Sequence, residues 1–315
     1  MARLRVLGLA AVVVWLGSTS GPALADGLAR FEKTLKPQFP AGSLTYKSSK
    51  SLGDDGFVLE DVVVTPPPSD PAKGDKPQPI SIKTVTVEAL DFDALEKQQP
   101  PLFAKVKFDG VTTGSSAGGF DLKQMAGIDT LSADFGVNYK LDADDKTFTL
   151  KRMELNLNGL AKLETSMEVD GVSADAAAKP DAAMADASLK TAKLTYDDHS
   201  LLSKAIPIAA AMQGSDPKAL ITMAINFLDA ARMGQGEDAQ KVIDSLVAFV
   251  EDYQKPKGPL KIALNPPDKV SNADLSNAKS ADEMVKLLGI EVSYAGARSS
   301  TPAELPAEVK DKDKK

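Results

Sequence analysis

The sequence predicts an α+β protein: a largely antiparallel β-sheet built as a meander, flat or curved, with a C-terminal layer of about four helices. Three observations predict it. Up to about Tyr196 apolar residues recur at every second position, the period of a strand with one wet face. Consecutive runs are joined by short hairpin signals such as Asn158-Gly159, which favour antiparallel neighbours. From Ser200 the period changes to three and four, the spacing of a helix with one buried stripe.

The chain opens with a leader. Arg3 and Arg5 give a positive start, Val6 to Leu16 is an apolar run, and Ala23-Leu24-Ala25 supplies small residues for signal peptidase. Residues 1–25 are therefore expected to be an export signal cut between Ala25 and Asp26. The run is too short to span a bilayer, which takes about 20 apolar residues. Asp26 to Leu35 then reads as a short helix.

The β-rich region is expected over residues 26–196. Phe57 to Val64, Ile80 to Leu90 and Phe103 to Phe108 read as strands, and the Pro-rich stretch Thr65 to Pro79 as a loop that cannot pair. The clearest alternation is Leu131, Ala133, Phe135, Val137, Tyr139, Leu141. Asp142 to Asp145 turns the chain into Phe148, Leu150, Met153, Leu155, Leu157, whose parity changes at Lys151-Arg152 as a β-bulge requires. After Asn158-Gly159, Ala161, Leu163, Thr165, Met167 and Val169 alternate strictly, and Ala192, Leu194 and Tyr196 begin another strand beyond the Ala/Asp-rich loop Ser173 to Ala187. Asp109-Gly110 and Asp170-Gly171 both read as strand-ending turns.

A helical region with terminal strands, packed on the same sheet, is expected over residues 197–295. Leu201 to Met212 is a helix that Pro207 should kink or divide. Asp216 caps the next, Pro217 sits in its first turn, and Leu220, Ile221, Ala224, Phe227, Leu228 and Ala231 form its apolar stripe. Glu237 to about Tyr253 follows, with Val242, Ile243, Leu246, Val247 and Val250 on one side. Leu260, Ile262 and Leu264 form a strand. Ser280 with Glu283 is a capping box for a helix ending at Gly289, and Ile290 to Tyr294 is a last strand. Residues 296–315 read as a disordered tail.

Composition narrows function mainly by exclusion. The 315 residues carry 37 Lys+Arg against 44 Asp+Glu, a net charge of −7 that becomes −9 without the two leader arginines. A chain this acidic repels phosphate backbones, so no nucleic acid partner is expected. With no cysteine, an exported chain of this kind is held by its core, has no thiolate metal site and no Cys for a lipid anchor. The product after cleavage is thus expected to be soluble, not membrane-spanning, in the periplasm or outside the cell.

Candidate chemistry is thin. His199, in Asp197-Asp198-His199-Ser200, is the chain's only histidine and the weak candidate for a catalytic base. Its place between strand and helix suits a helix cap by Asp198, His199 or Ser200 better. There is no G-x-S-x-G elbow. Ser276-Asn277-Ala278-Lys279 has the S-x-x-K spacing of penicillin-binding enzymes without their S-D-N and K-T-G partners. Asp142, Asp144 and Asp145 lack the glycine and the acidic twelfth ligand of a calcium loop. No metal and no cofactor are expected, and no phosphate-binding glycine motif occurs.

Gly56 to Val64, the Ile80 to Phe92 strand and Lys105 to Val111, together with the block Leu194 to Leu202 and Pro266-Pro267, resemble a loose group of uncharacterised β-rich bacterial periplasmic proteins, themselves likened to AsmA-type envelope proteins. The resemblance implies an envelope or lipid-related role and names no catalytic residue. The resulting expectation is a non-catalytic periplasmic binding or envelope-associated protein, holding a lipid or other apolar ligand between sheet and helices, or partnering an envelope protein. The alternative is a periplasmic hydrolase using His199.

Overall fold

A computed structural model describes residues 26–67, 78–114, 116–117, 120–121, 127, 130–173, 187–270 and 272–297 of the 315. Ala25 and the leader, most of the two expected loops, and residues 298–315 lie outside the described residues.

The chain enters through helix α1 (Gly27–Thr34), started by the Asp26 carboxylate, which accepts the N–H of Leu28 at 2.9 Å. Two short strands, β1 (Leu44–Thr45) and β2 (Ser48–Ser51), lie end to end along β3 (Phe57–Val64), forming a broken edge. Then come β4 (Ile80–Leu90), a helical turn α2 (Phe92–Glu96), β5 (Phe103–Gly114) and the small separate pair β6 (Ser116–Ala117) and β7 (Phe120–Asp121). The predicted meander follows as β8 (Thr130–Asp142), β9 (Thr147–Leu157) and β10 (Ala161–Asp170), with β11 (Ser188–Asp198) beside it.

Three helices, α3 (Leu201–Met212), α4 (Pro217–Arg232) and α5 (Glu237–Glu251), separate β11 from its neighbour β12 (Leu260–Leu264). Helices α6 (Asn272–Asn277) and α7 (Ala281–Leu288) lead to β13 (Ile290–Ser293). The C-terminal layer therefore has five helices; α6 forms in a segment that reads only as polar. Helix α3 runs unbroken through Pro207, which is exposed, so water can take up the carbonyl that the proline leaves unbonded.

Eleven strands form one open sheet, every pairing antiparallel, in the order β1, β3, β4, β5, β8, β9, β10, β11, β12, β13, with β2 paired to β3 end to end with β1. The α+β class and the meander are as the sequence predicts. The bulge is too: Asn138 pairs with Arg152 and Tyr139 with Leu150, leaving Lys151 as the extra residue.

Asp109-Gly110 is a correction. It ends no strand; β5 continues to Gly114, and Gly110, at φ +63°, forms a bulge whose N–H is held by Asp134 Oδ1 at 2.8 Å. Asp170-Gly171 does close β10, with Gly171 at φ +77°. A second correction is the tail boundary. Gly296 and Ala297 belong to a turn closed by the Ala297 N–H on Tyr294 O, and Ala297 packs on the core, so the described fold extends past 296.

The sheet has a core at each end. Phe31 of α1, Phe57, Leu59, Val62, Ile82, Val85, Val87 and the α2 residues Phe92 and Leu95 bury one. Ala248 and Phe249 of α5 with Leu260 and Tyr294 bury the other, Phe249 meeting Tyr196 and Tyr294 edge-on. Neither cluster includes a residue of β8, β9 or β10.

Candidate functional site

Cross-strand register shows what fills the space between the two cores. In an antiparallel ladder, directly opposed residues point to the same face. One row runs Phe57, Val87, Val106, Val137, Met153, Thr165, Leu194, Ile262, Val292 across nine strands. The next runs Leu59, Val85, Phe108, Phe135, Leu155, Leu163, Tyr196, Leu260. A third runs Leu90, Ala104, Tyr139, Leu150, Met167, Ala192, Leu264, Ile290. Apart from the hydroxyls of Tyr139 and Tyr196, Thr165 carries the one polar group in these three rows.

At the ends this stripe is the floor of the two cores. In the middle it is half open: Phe135, Val137, Met153, Leu155, Leu163 and Met167 are each partly exposed, whereas Phe57, Leu59 and Val87 at one end are buried. Phe108 and Phe135 face each other at 6.1 Å between ring centroids, and Tyr139 and Phe148 at 5.9 Å, so the strip is paved with aromatic and aliphatic groups.

The opposite face leaves no doubt which side is wet. It carries Lys107 with Asp109 at 2.7 Å, Arg152 with Glu154 at 2.7 Å and with Glu164 at 2.6 Å, and Lys190 with Glu168 at 2.6 Å. Exposed pairs of this kind add little stability but mark a solvated surface.

The expected candidates fall away from this strip. His199 lies at the surface beyond β11, its Nε2 3.5 Å from Asp197 Oδ2, its own N–H bound to Leu160 O. An imidazole and a carboxylate are thus side by side. The nearby serine hydroxyls are engaged with backbone: Ser200 Oγ donates to Gly159 O at 2.9 Å and Ser203 Oγ to Ser200 O at 2.9 Å. The cap belongs to Asp198, whose Oδ1 accepts the Leu202 N–H at 3.0 Å and the Tyr196 hydroxyl at 2.8 Å. Burial, and then the adjoining Asp198 carboxylate, raise the Tyr196 phenol well above its ordinary pKa.

Ser276 lies exposed near the end of α6, and the Lys279 N–H is bound to the Glu283 carboxylate. Asp142 pairs with Lys140 and accepts the Asp145 N–H, a turn closed on itself. Among the described residues no cluster of three or more His, Asp or Glu could hold a metal, and no helix is long and apolar enough to cross a membrane. A cavity of about 450 Å³ lies at the α4–α5 turn, lined by Asn226, Asp229, Arg232, Met233 and Gln240 among others; Arg232 is tied to Asp244 at 2.7 Å.

Sequence comparison adds little chemistry. Residues 154–295, from β9 to just beyond β13, match the model of a family described as an uncharacterized protein. No curated protein matches the chain. The matched part contains β10 to β13 and all five C-terminal helices, and so one side of the apolar strip with its helical cover.

Proposed function

We propose that the protein is a non-catalytic, exported binding protein that holds an acyl chain or similar apolar ligand along the open middle of its sheet, after loss of the leader at Ala25–Asp26. One observation carries the reading: an apolar stripe that floors a closed core at each end continues across β8 to β10, where, apart from the buried Leu150, its side chains are only partly covered. Contiguous exposed apolar surface of this kind marks an interaction site. From β5 to β11 the strip is about 19 Å wide at ~4.8 Å per strand, suited to a long chain lying across the strands. The likeness to AsmA-type envelope proteins agrees with a lipid-related role.

The test is native mass spectrometry with lipid extraction on the protein purified from cells expressing the full chain. A co-purifying acyl compound, lost in Leu155→Asp, is the expected result. A clean apo mass together with no uptake of added fatty acid would sink the reading.

The paired His199 and Asp197 keep a second reading, a His-dependent hydrolase, open to one direct check. His199→Ala leaves a binding protein's stability and ligand load unchanged; loss of an ester-hydrolysing activity in that variant would favour the enzyme.

A further inference from the structure

The chain has no cysteine, so its nine methionines carry all of its sulfur. Two of them, Met153 on β9 and Met167 on β10, belong to the open strip, and both are partly exposed. Met153 stands opposite Val137 on β8 and Thr165 on β10. Met167 stands opposite Leu150 on β9 and Ala192 on β11. Away from the sheet, Met212 at the end of α3, Met223 within α4 and Met233 just past it are 65%, 58% and 75% exposed. A thioether is flexible and apolar, and packs on a hydrocarbon chain as readily as leucine. Its sulfur is also open to oxidation. The sulfur lone pair attacks one oxygen of a peroxide, the O–O bond breaks, the sulfur keeps that oxygen as a sulfoxide, and water leaves. The apolar side chain has then become a polar hydrogen-bond acceptor.

The strip has no donor to offer such an acceptor. Its three rows contain three hydroxyls, and each has already given its proton away. Thr165 Oγ1 donates to Lys193 O at 2.9 Å, the Tyr139 hydroxyl to Pro101 O at 3.2 Å and the Tyr196 hydroxyl to Asp198 Oδ1 at 2.8 Å. Every other side chain in the rows is hydrocarbon or thioether. A sulfoxide at Met153 or Met167 therefore finds its hydrogen bonds in water, and a ligand laid over it takes that water away.

We propose that Met153 and Met167 are oxidation sites that control the strip: a peroxide converts them to sulfoxides and the apolar ligand is released, and a methionine sulfoxide reductase restores binding. The inference rests on the proposed function, because the seat it regulates is the one assigned there. An exported chain without a thiol meets oxidants with its thioethers alone.

The test is the palmitate affinity of the protein, expressed as the full chain, before and after hydrogen peroxide, with peptide masses reporting which methionines carry oxygen. Each protein is compared with its own untreated state. Oxidised wild type loses affinity about tenfold or more, regains it after treatment with methionine sulfoxide reductases, and keeps its far-ultraviolet circular dichroism. Met153→Leu/Met167→Leu holds the affinity it had before peroxide, although Met212, Met223 and Met233 carry oxygen in both proteins. Palmitate present during oxidation slows oxygen uptake at Met153 and Met167 and leaves the other three unprotected. The proposal is overturned by a wild type that binds as before with both strip sulfurs oxidised, or by strip sulfurs that take up no oxygen when the exposed three do. A double variant that loses as much affinity as wild type, or an oxidised wild type that unfolds, also overturns it. Wild type that takes up no palmitate before any peroxide sinks the sheet reading itself; uptake that is indifferent to oxidation sinks the redox control alone.

Discussion

At the scale of single residues the most constrained group is Arg30. Its buried guanidinium pairs with Asp93, with Glu96 at 3.1 Å and with Asp55 at 3.5 Å, and lies 5.2 Å from the Phe92 ring centroid. It joins α1, the loop before β3 and α2. Removing one partner of a fully buried pair costs roughly 3–5 kcal/mol, but these carboxylates are 41–74% exposed and water re-solvates them. Arg30→Met should therefore lower stability by about 1–3 kcal/mol, read from the urea midpoint at neutral pH. The Asp93 carboxyl, held below its usual pKa by Arg30, contributes stability present above its unfolded pKa and lost as pH falls through the folded one. Wild type and Arg30→Met should thus converge in acid.

The tyrosines give the opposite sign. Burial raises Tyr139 and Tyr294, and burial with Asp198 raises Tyr196. A phenol with a raised folded pKa contributes stability fully present below its unfolded value of about 10 and lost as pH climbs through the folded one. In an alkaline titration, phenolate absorbance from these three should lag the ordinary range and rise together with loss of the fold. Normal, independent titration of all five tyrosines would contradict the burial described. Asp198 shows what sequence could and could not give at this scale. A cap before α3 was legible from Asp197 to Ser200, but which side chain serves is set by Asp198, at the end of β11, turning its carboxylate to both the Leu202 N–H and the Tyr196 hydroxyl, which spacing alone does not rank.

At the scale of elements, two glycines with the same backbone conformation separate strain from packing. Gly159, at φ +74°, closes the β9–β10 hairpin with nothing within 4 Å of an added Cβ. Gly289, at φ +56°, ends α7, and a Cβ there would overlap the carbonyl oxygen of Asn265, whose own N–H is bound to Gly289 O at 3.2 Å. Gly159→Ala should cost about 1 kcal/mol, the left-handed penalty alone, and Gly289→Ala at least about twice that because β12 must move. Chemical denaturation of the two variants reads the difference. Both positions were legible, one as Asn-Gly and the other as a helix stop after a capping box, because each signal is local. Gly110 was misplaced for the converse reason: Asp-Gly has the chemistry of a turn, and what makes it a bulge is Asp134, on the next sheet strand, accepting its N–H. The short edge strands show no apolar alternation, β1 being only Leu-Thr and β2 Ser-Ser-Lys-Ser, so β3 defines them and their own residues do not.

At the scale of the whole molecule, alternation along each strand was legible, but alternation is satisfied equally by a sheet with a layer over all of it and by one covered only at its ends. Register and burial together distinguish them, and both depend on contacts made across more than two hundred residues, from Phe57 to Val292. The consequence is a division of labour that can be measured. Phe57 and Val87 belong to a closed core, so an aspartate there buries an unpaired charge and should unfold the protein. Leu155 lies in the same stripe but half open to solvent, so Leu155→Asp should leave the fold largely intact while removing the ligand's seat. If binding is dominated by methylenes laid on the strip, affinity for a series of fatty acids should rise by up to about fourfold for each added CH₂, the equivalent of ~0.8 kcal/mol per buried methylene. At a ligand concentration of about 100 Kd the native state gains ~2.7 kcal/mol, which for a domain of this size raises Tm by roughly 5 °C. Wild type should show that rise with a long-chain fatty acid, growing with chain length at fixed concentration, and Leu155→Asp should not. A rise of equal size in both proteins, or one indifferent to chain length, would place the ligand somewhere other than the open strip.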